Sequence, residues 1–367
     1  MPITLNGDTG IQTPMYNGTI TANAVTPSVN MKNRLINSAM VIDQRNAGAS
    51  VTQNTSTQYV TDRFGVYGSV TSKCTVQQSS TAPTGFNNSL IVTSSSAYTV
   101  GAAETFFLTQ IIEGFNTADL GFGTANAKTV TLSFWVRSSL TGTFGGSLMN
   151  NAYDRSYPFS YTISVANTWE QKSITIAGDT TGTWVGATNG VGLRVHWSLG
   201  TGSTLSATAG SWVGAEEYSA TGATSVVGTN GATFYITGVQ LEVGSTATSF
   251  DYRPYGTELA LCQRYCNRLD YANGASVNTG YVDSATSARG GLIFPTMRTS
   301  ASASASSGTH FKLDNGAGSY VGTGILFDGL TPTSARMVLT SSGMTGGQGG
   351  IFLSVNAGAY ILLTAEL

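Results

Sequence analysis

The sequence predicts a mainly β protein: a β-sandwich, a short helix, and a second, C-terminal antiparallel β domain. Three observations lead there. Short runs alternate apolar and polar side chains, the period-2 pattern of strands with one buried face. Clusters of Gly, Asn and Ser, which supply turn conformations, separate these runs at intervals typical of sandwiches. One stretch alone, "GTELALCQRYCNRLDY" at 256–271, is dense in charge and good helix formers, with no glycine after Gly256.

Residues 1–32 are polar and turn-rich, with "NGDTG" and "TPSVN" and no sustained apolar period; they read as an arm that needs a partner. Residues 33–255 read as the sandwich. In "TVTLSFWVRSS" (129–139), Val130, Leu132, Phe134 and Val136 share one face, and Thr131, Ser133, Trp135 and Arg137 the other. "GLRVHWSLG" (192–200) repeats the design, with Leu193, Val195, Trp197 and Leu199 inward and Arg194, His196 and Ser198 outward. Further strands are "NSLIVTS", "ETFFLTQIIEG", "FSYTISV", "EQKSITIAG" and "ATFYITGVQLEV". In the last, the apolar parity slips between Ile236 and Val239, which predicts a bulge around Gly238.

Residues 256–272 read as the helix. Leu259, Cys262, Cys266 and Leu269 are spaced three, four and three, like the a/d seam of a coiled coil. Glu258 suits the positive N-terminal end, and "ANG" at 272–274 stops the helix. Two thiolates with no nearby His or further Cys are too few for a metal, and two positions in one helix aim poorly for a disulfide. The cysteines therefore read as small buried hydrophobes. So short a helix is marginal alone, and its seam must pack either on a three-fold axis beside two copies of itself or on its own chain's sandwich. Residues 273–367 read as the second β domain, with strands "GLIFPTM", "TSASASA", "THFKLDN", "GGIFLSV" and "AYILLTAEL". "SASASAS" reads as a strand with a shallow, tightly packed face or as a flexible loop, and "SSGMTGGQGG" (341–350) as an exposed loop.

Composition removes several function classes. The 367 residues are 41% hydrophobic, enough to fill more than one core. Charged residues make up 10%, against roughly 25% in an average domain, so the surface is polar mainly through hydroxyls and amides. With 17 Lys and Arg against 19 Asp and Glu, no basic stripe is available to neutralise phosphates, which argues against nucleic-acid binding. No apolar run approaches the roughly 18 residues that cross a bilayer, so no membrane insertion is expected. The opening "MPITLNGDTGIQTP" lacks a basic region and an apolar core for secretion, and Cys74, Cys262 and Cys266 cannot build a disulfide framework. Both point to synthesis in a reducing cytoplasm.

"NRLINSAMVIDQRNAG" (33–48), "ANAKTVTLSFWVRSSLTGTFGGSL" (125–148) and "ATFYITGVQLEVGSTATSFDYRPYGTELALCQRY" (232–265) together resemble tail-fibre or receptor-binding proteins of tailed bacteriophages. The 33–255 block also resembles the jelly-roll sandwich of carbohydrate-binding modules. Ser38 stands where that pattern usually has Gly. Thr237 and Gly238 stand where many such modules have an acidic residue that helps hold a structural calcium ion. "AYILLTAEL" is similar to the closing strand of phage fibre tips. The resemblance implies a homotrimer on the virion that reaches the exterior by lysis. Its arm would bind a phage tail or baseplate protein, and its distal part a host surface polysaccharide. A fibre needs its two β domains in register, which favours the trimer axis for the seam of Leu259, Cys262, Cys266 and Leu269.

No catalytic residue, metal ligand or cofactor site is nominated. His196 and His310 are the only histidines, and they fall on strands expected in different domains. "GGS" at 145–147 is not a nucleophile elbow. Glu216 and Glu217 are adjacent, so they point to opposite faces of a strand or lie in a loop, whereas glycosidase carboxylates face each other across roughly 5–9 Å. Sugar recognition needs an aromatic platform and planar polar groups. Trp135, Arg137, Arg194 and His196 lie on the outward parity of strongly patterned strands and are candidates; the alternative is that they cover a second layer or pack between subunits. Trp184 in "GTWVGATNG" and Trp212 in "GSWVGAEEY" are loop candidates, with the alternative of plugging the end of the sandwich. Arg34, Gln44 and Arg45 are expected to bind backbone carbonyls or pack a subunit contact. The expected function is non-catalytic attachment to host glycan. A structural spike or decoration protein, and a polysaccharide-degrading tailspike, are the alternatives.

Overall fold

The computed structural model describes residues 5–6, 10–11 and 31–367. Met1–Lys32 forms one unit, in which β1 (Leu5–Asn6) pairs antiparallel with β2 (Gly10–Ile11). Most of the predicted arm lies outside the described residues.

Asn33–Leu367 is a second compact unit. Its first part contains β3 (Val51–Thr52), β4 (Gln58–Thr61), β5 (Phe64–Gly68), β6 (Cys74–Ser79), β7 (Ser89–Ser94) and β8 (Thr105–Glu113). Then follow β9 (Val130–Ser138), β10 (Gly142–Met149), β11 (Ser156–Ile163), β12 (Glu170–Ile176) and β13 (Val191–Thr201). A small parallel pair, β14 (Ser206–Ala207) with β15 (Ser219–Ala220), precedes β16 (Thr233–Val243). Two six-stranded sheets result, ordered β11-β10-β13-β8-β5-β4 and β12-β9-β16-β7-β6-β3. From β7 onward most connections cross between the sheets, the jelly-roll pattern.

The period-2 reading holds where it was strongest. Val130, Leu132, Phe134 and Val136 of β9 and Leu193, Val195, Trp197 and Leu199 of β13 are fully buried in one core between the sheets. Each such side chain contributes roughly 1.5–3 kcal/mol. Trp197 lies among Phe64 and Phe134, at centroid distances of 6.3 and 6.0 Å. The predicted bulge is present: the β16/β9 register shifts between Thr237 and Gln240, and Gly238 takes φ +59°, in the left-handed region that favours glycine.

The helix is shorter than predicted. α1 spans Tyr255–Gln263, and the rest of the predicted element is β17 (Cys266–Tyr271). β17 pairs with β26 (Ala359–Thr364) from Cys266↔Thr364 to Tyr271↔Ala359. Helix propensity is a weak prior, and a complete ladder with a distant strand overrides it. The four-residue helical seam therefore does not exist: Leu259 and Cys262 are on α1, Cys266 and Leu269 on β17. Cys262 and Cys266 are fully buried within their own chain, and Leu269 packs on the C-terminal core.

The C-terminal part adds β18 (Ser276–Ser284), β19 (Ser287–Ile293), β20 (Ser302–Ala305), β21 (Phe311–Asn315) and β22 (Gly318–Val321). It is completed by β23 (Gly324–Asp328), β24 (Ser334–Thr340) and β25 (Gly349–Ser354). These form a three-stranded sheet, β17-β26-β20, and a seven-stranded one, β22-β21-β25-β18-β19-β24-β23, around a separate core. The small/polar tract is a strand: β20 pairs with β26 and lays Ala303 and Ala305 on that core. The segment at 341–350 is a loop up to Gly349, but Met344 is buried in the core, so it is not wholly exposed.

A polar seam joins this part to the sandwich. Arg264 makes a two-pronged pair with Glu113 (2.8 and 2.5 Å), and the Tyr265 hydroxyl donates to the same carboxylate at 2.7 Å. Burial alone would raise the Glu113 pKa, but these bonds outweigh it and hold the carboxyl below its ordinary value. The Glu366 carboxylate binds both Arg63 and Arg45, and the Arg63 guanidinium lies 3.6 Å from the Tyr265 ring centroid. Gln44 donates to the Cys266 carbonyl at 2.7 Å, as expected for a carbonyl-binding residue. Arg34 reaches the Asn116 carbonyl and pairs with Asp119, whereas Arg45 binds a carboxylate and not a carbonyl.

Candidate functional site

A cleft of about 260 Å³ opens on the outer face of the first sheet, lined by side chains of β5, β8 and β13 and by three loop segments. Strand register sets its floor. One row runs from Gly65 through Thr109 and His196 to Ser147; the rows on either side carry Tyr67 with Phe107, and Ile111 with Arg194. Thr57, Tyr153 and the 216–218 segment supply walls. Gly65 has no room for a side chain, since a Cβ there would come within 2.7 Å of Thr57 Cγ2.

Aromatic rings line one side. Phe107 stacks on Tyr218 (4.9 Å between centroids, 9° between planes) and on Tyr67 (5.1 Å, 24°). His196 stands edge-on to Phe107 at 4.5 Å. The Arg194 guanidinium lies 4.6 Å from the Tyr153 ring centroid.

The polar groups are the unusual feature. His196 is 2% exposed, and neither ring nitrogen has a hydrogen-bond partner among the described residues. Thr109 Oγ1, Ser147 Oγ and Arg194 Nε are likewise buried without a partner among the described residues. An unsatisfied buried group costs about 1–3 kcal/mol, so a patch of them favours any ligand that supplies the missing partners. Burial, with the Arg194 charge second, lowers the His196 pKa to about 3. The imidazole is therefore neutral at pH 7 and offers one donor and one acceptor. The Tyr218 hydroxyl donates to Glu216 Oε1 at 2.5 Å, and burial followed by this bond pushes its pKa up.

A second cavity, of about 250 Å³, lies beside α1 among Phe86, Phe250, Tyr252 and Tyr255. Its charged groups are already engaged. Arg253 pairs with Glu258 and donates to the Leu35 carbonyl, and Glu258 accepts from the Asn37 amide. The first cleft has the open valences.

The structure divides the sequence-derived candidates. Arg194 and His196 line the cleft, but Trp135 and Arg137 belong to β9 in the other sheet, whose outer face is on the opposite side of the sandwich. The expected single face is thus two. Period-2 parity separates inside from outside but does not say to which sheet a strand belongs. Arg137 donates to the Asn167 carbonyl at 2.9 Å and lies over Tyr235, which meets Trp169 edge-on. Trp135 is half-buried beside Gly238 and Phe86.

Trp184 and Trp212 close the sandwich end. They meet edge-on at 5.4 Å, both cover Phe122, and their Nε1 atoms donate to Asp179 and to the Ala177 carbonyl. Asp179 is itself held by a two-pronged pair with Arg155. Where a calcium-holding acid stands in many carbohydrate-binding modules, the Thr237 hydroxyl donates to the Asn88 carbonyl. Among the described residues no group of three or more His, Cys, Asp and Glu could hold a metal ion, and no helix is long and apolar enough to cross a membrane.

Sequence reasoning missed Tyr67, Phe107, Thr109, Tyr153 and Tyr218. Tyr67 had a readable signal, an aromatic on the outward parity of its strand, whereas Phe107 lies in "TFFLTQIIE", which is apolar on both parities and buried throughout. Tyr153 and Tyr218 come from irregular segments, for which no periodicity exists. Glu216 lines the cleft, and burial, with the Glu216 charge second, raises the pKa of the adjacent Glu217.

No family model and no curated protein matches this chain. Among solved structures it is similar to the enzymatically active domain of bacteriophage CBA120 tailspike protein 4, at 12% identity over 58% of this chain and a TM-score of 0.32; the match spans 22% of that chain. It is also similar to the family 11 carbohydrate-binding module from Clostridium thermocellum in complex with a mixed-linked tetrasaccharide. That match has 9% identity over 56% of this chain and all of the other, with a TM-score of 0.27. A third is the CBM22-1 and GH10 modules of Clostridium thermocellum xylanase 10B with xylohexaose, at 13% identity over 52% of this chain and 28% of that one, with a TM-score of 0.28. These likenesses are loose, and the residues of the cleft carry the functional reading.

Proposed function

We propose that this chain is a glycan-binding attachment protein of the phage tail-fibre kind, and that the cleft around His196 holds a host-surface saccharide without cleaving it. One observation carries the reading. The cleft joins stacked rings, Tyr67, Phe107 and Tyr218, to buried, unpartnered polar groups on His196, Thr109 and Arg194. A sugar ring presents apolar C–H faces and a rim of hydroxyls, which an aromatic wall and unpartnered polar groups can meet. Glu216 is the carboxylate in the lining, and with its Oε1 engaged by the Tyr218 hydroxyl its other oxygen can accept a hydrogen bond from a sugar hydroxyl. The resemblance in three sequence segments supports assembly as a homotrimer on the virion, with the 1–32 arm bound to a tail or baseplate protein.

The test is an array of host-envelope polysaccharides, followed by prolonged incubation with those that bind. Binding with an unchanged polymer size distribution is the expected result. Release of short oligosaccharides would make the protein a depolymerase. No binding on any surface polysaccharide would favour a structural spike.

A further inference from the structure

We infer that the saccharide held by the cleft carries a carboxylate, the chemistry of uronic and nonulosonic acid residues in acidic polysaccharides. The inference rests on the cleft being a glycan site, and it follows from the state of Arg194.

Three other arginines of the described chain make several close hydrogen bonds each. Arg155 takes both oxygens of Asp179, and Arg264 both oxygens of Glu113. Arg298 spends its donors on the carbonyls of Asn189, Ala365 and Glu366. Arg194 differs. Its one side-chain hydrogen bond goes to Asn151 Oδ1 at 3.5 Å, the long limit for such a bond. Its Nε is buried without a partner among the described residues, as are those of Arg34, Arg63 and Arg289. The guanidinium lies over the Tyr153 ring, and the planar fork of a guanidinium matches a two-oxygen acceptor.

The other charged and titratable groups of the lining narrow the acceptor. His196 is neutral at pH 7, which leaves Arg194 as the cation of the cleft. Glu216 is the opposing anion, with one oxygen engaged by Tyr218. A single cation with a carboxylate nearby suits an acceptor of one negative charge better than a phosphate monoester, which carries roughly 1.5 to 2 at pH 7. His196 and Thr109, in the row beside Arg194, would then meet the hydroxyls of the same sugar ring.

The experiment prints acidic bacterial surface polysaccharides in pairs, native and with carboxyls reduced to alcohols, and applies wild type, Arg194→Gln and Tyr67→Ala. Wild type should bind native members about ten-fold or more tightly than reduced ones, the worth of one charge-assisted hydrogen-bond pair. Arg194→Gln should erase that preference, and Tyr67→Ala should weaken both members while keeping it. Equal binding of native and reduced members by wild type overturns this inference and leaves the glycan reading standing. A preference that survives Arg194→Gln also overturns it, because the carboxylate would then be read elsewhere. Binding to neither form of any polysaccharide removes the glycan reading itself.

Discussion

His196 concentrates the physical tension of the molecule in one side chain. It sits on a regular strand, opposite Thr109 and Ser147, yet is buried with two unpartnered nitrogens. Its folded pKa, lowered to about 3 by burial and then by Arg194, lies below the unfolded value near 6.5. Its contribution to stability is therefore complete above pH 6.5 and is lost as the pH falls toward 3. Asp62 works in the opposite sense. Burial, partly offset by Gln44 and Arg45, raises it to about 6, so its contribution is complete below its ordinary value and is lost as pH rises through 6. The two oppose each other between pH 6 and 4, and a single melting curve mixes them. The difference between wild type and His196→Leu isolates the histidine. Thermal melts should show wild type losing ground to the variant by up to about 1.4 kcal/mol per pH unit below pH 6.5. Parallel pH profiles would mean that His196 keeps its proton in the fold. The outward parity of His196 was legible in "GLRVHWSLG"; its burial was not, because Phe107 and Tyr218 cover it from a different strand and from a loop.

At the scale of elements, legibility followed the strength of local pattern. The β9 and β13 faces and the Gly238 bulge were readable because a two-residue period and a positive φ leave traces in the chain itself. The 256–272 segment was misread past Gln263, because good helix formers there are recruited by β26, almost a hundred residues downstream. The consequence is testable. Cys262 and Cys266 are buried thiols whose pKa values burial pushes up, so they behave as small hydrophobes. Replacing both by valine should change stability by less than about 1.5 kcal/mol. Cys266→Asp should unfold the chain, by about 3 kcal/mol or more, and not merely separate intact subunits. Light scattering alongside circular dichroism distinguishes the outcomes: folded monomers from the aspartate variant would restore the helix to a subunit seam. The joint at Glu366 makes a second case. Glu366→Gln leaves Arg63, 1% exposed, without its carboxylate, and should cost about 3–5 kcal/mol in urea unfolding. A loss under 1 kcal/mol would show the joint to be solvent-screened.

Across the whole molecule, the sequence announced two β parts and a short helix, and the chain from Asn33 to Leu367 has two hydrophobic cores joined through Arg264, Glu113, Arg63 and Glu366. What it did not announce was which strands share a sheet, and that decided the site. Trp135 with Arg137 and Arg194 with His196 have the same parity, but strand order places them on opposite outer faces. A homotrimer, implied by resemblance, would have to be built on surfaces other than the buried Cys262 and Cys266. The proposed site places glycan on the first sheet, beside His196, and not on the second, beside Trp135. The most direct measurement is isothermal titration of a polysaccharide fragment that binds wild type into Tyr67→Ala and Trp135→Ala, each first shown to be folded. Binding beside His196 should give about a ten-fold loss of affinity for Tyr67→Ala, through the missing ring, and an unchanged affinity for Trp135→Ala. Full affinity in Tyr67→Ala with binding lost in Trp135→Ala would contradict it and move the site to the other face.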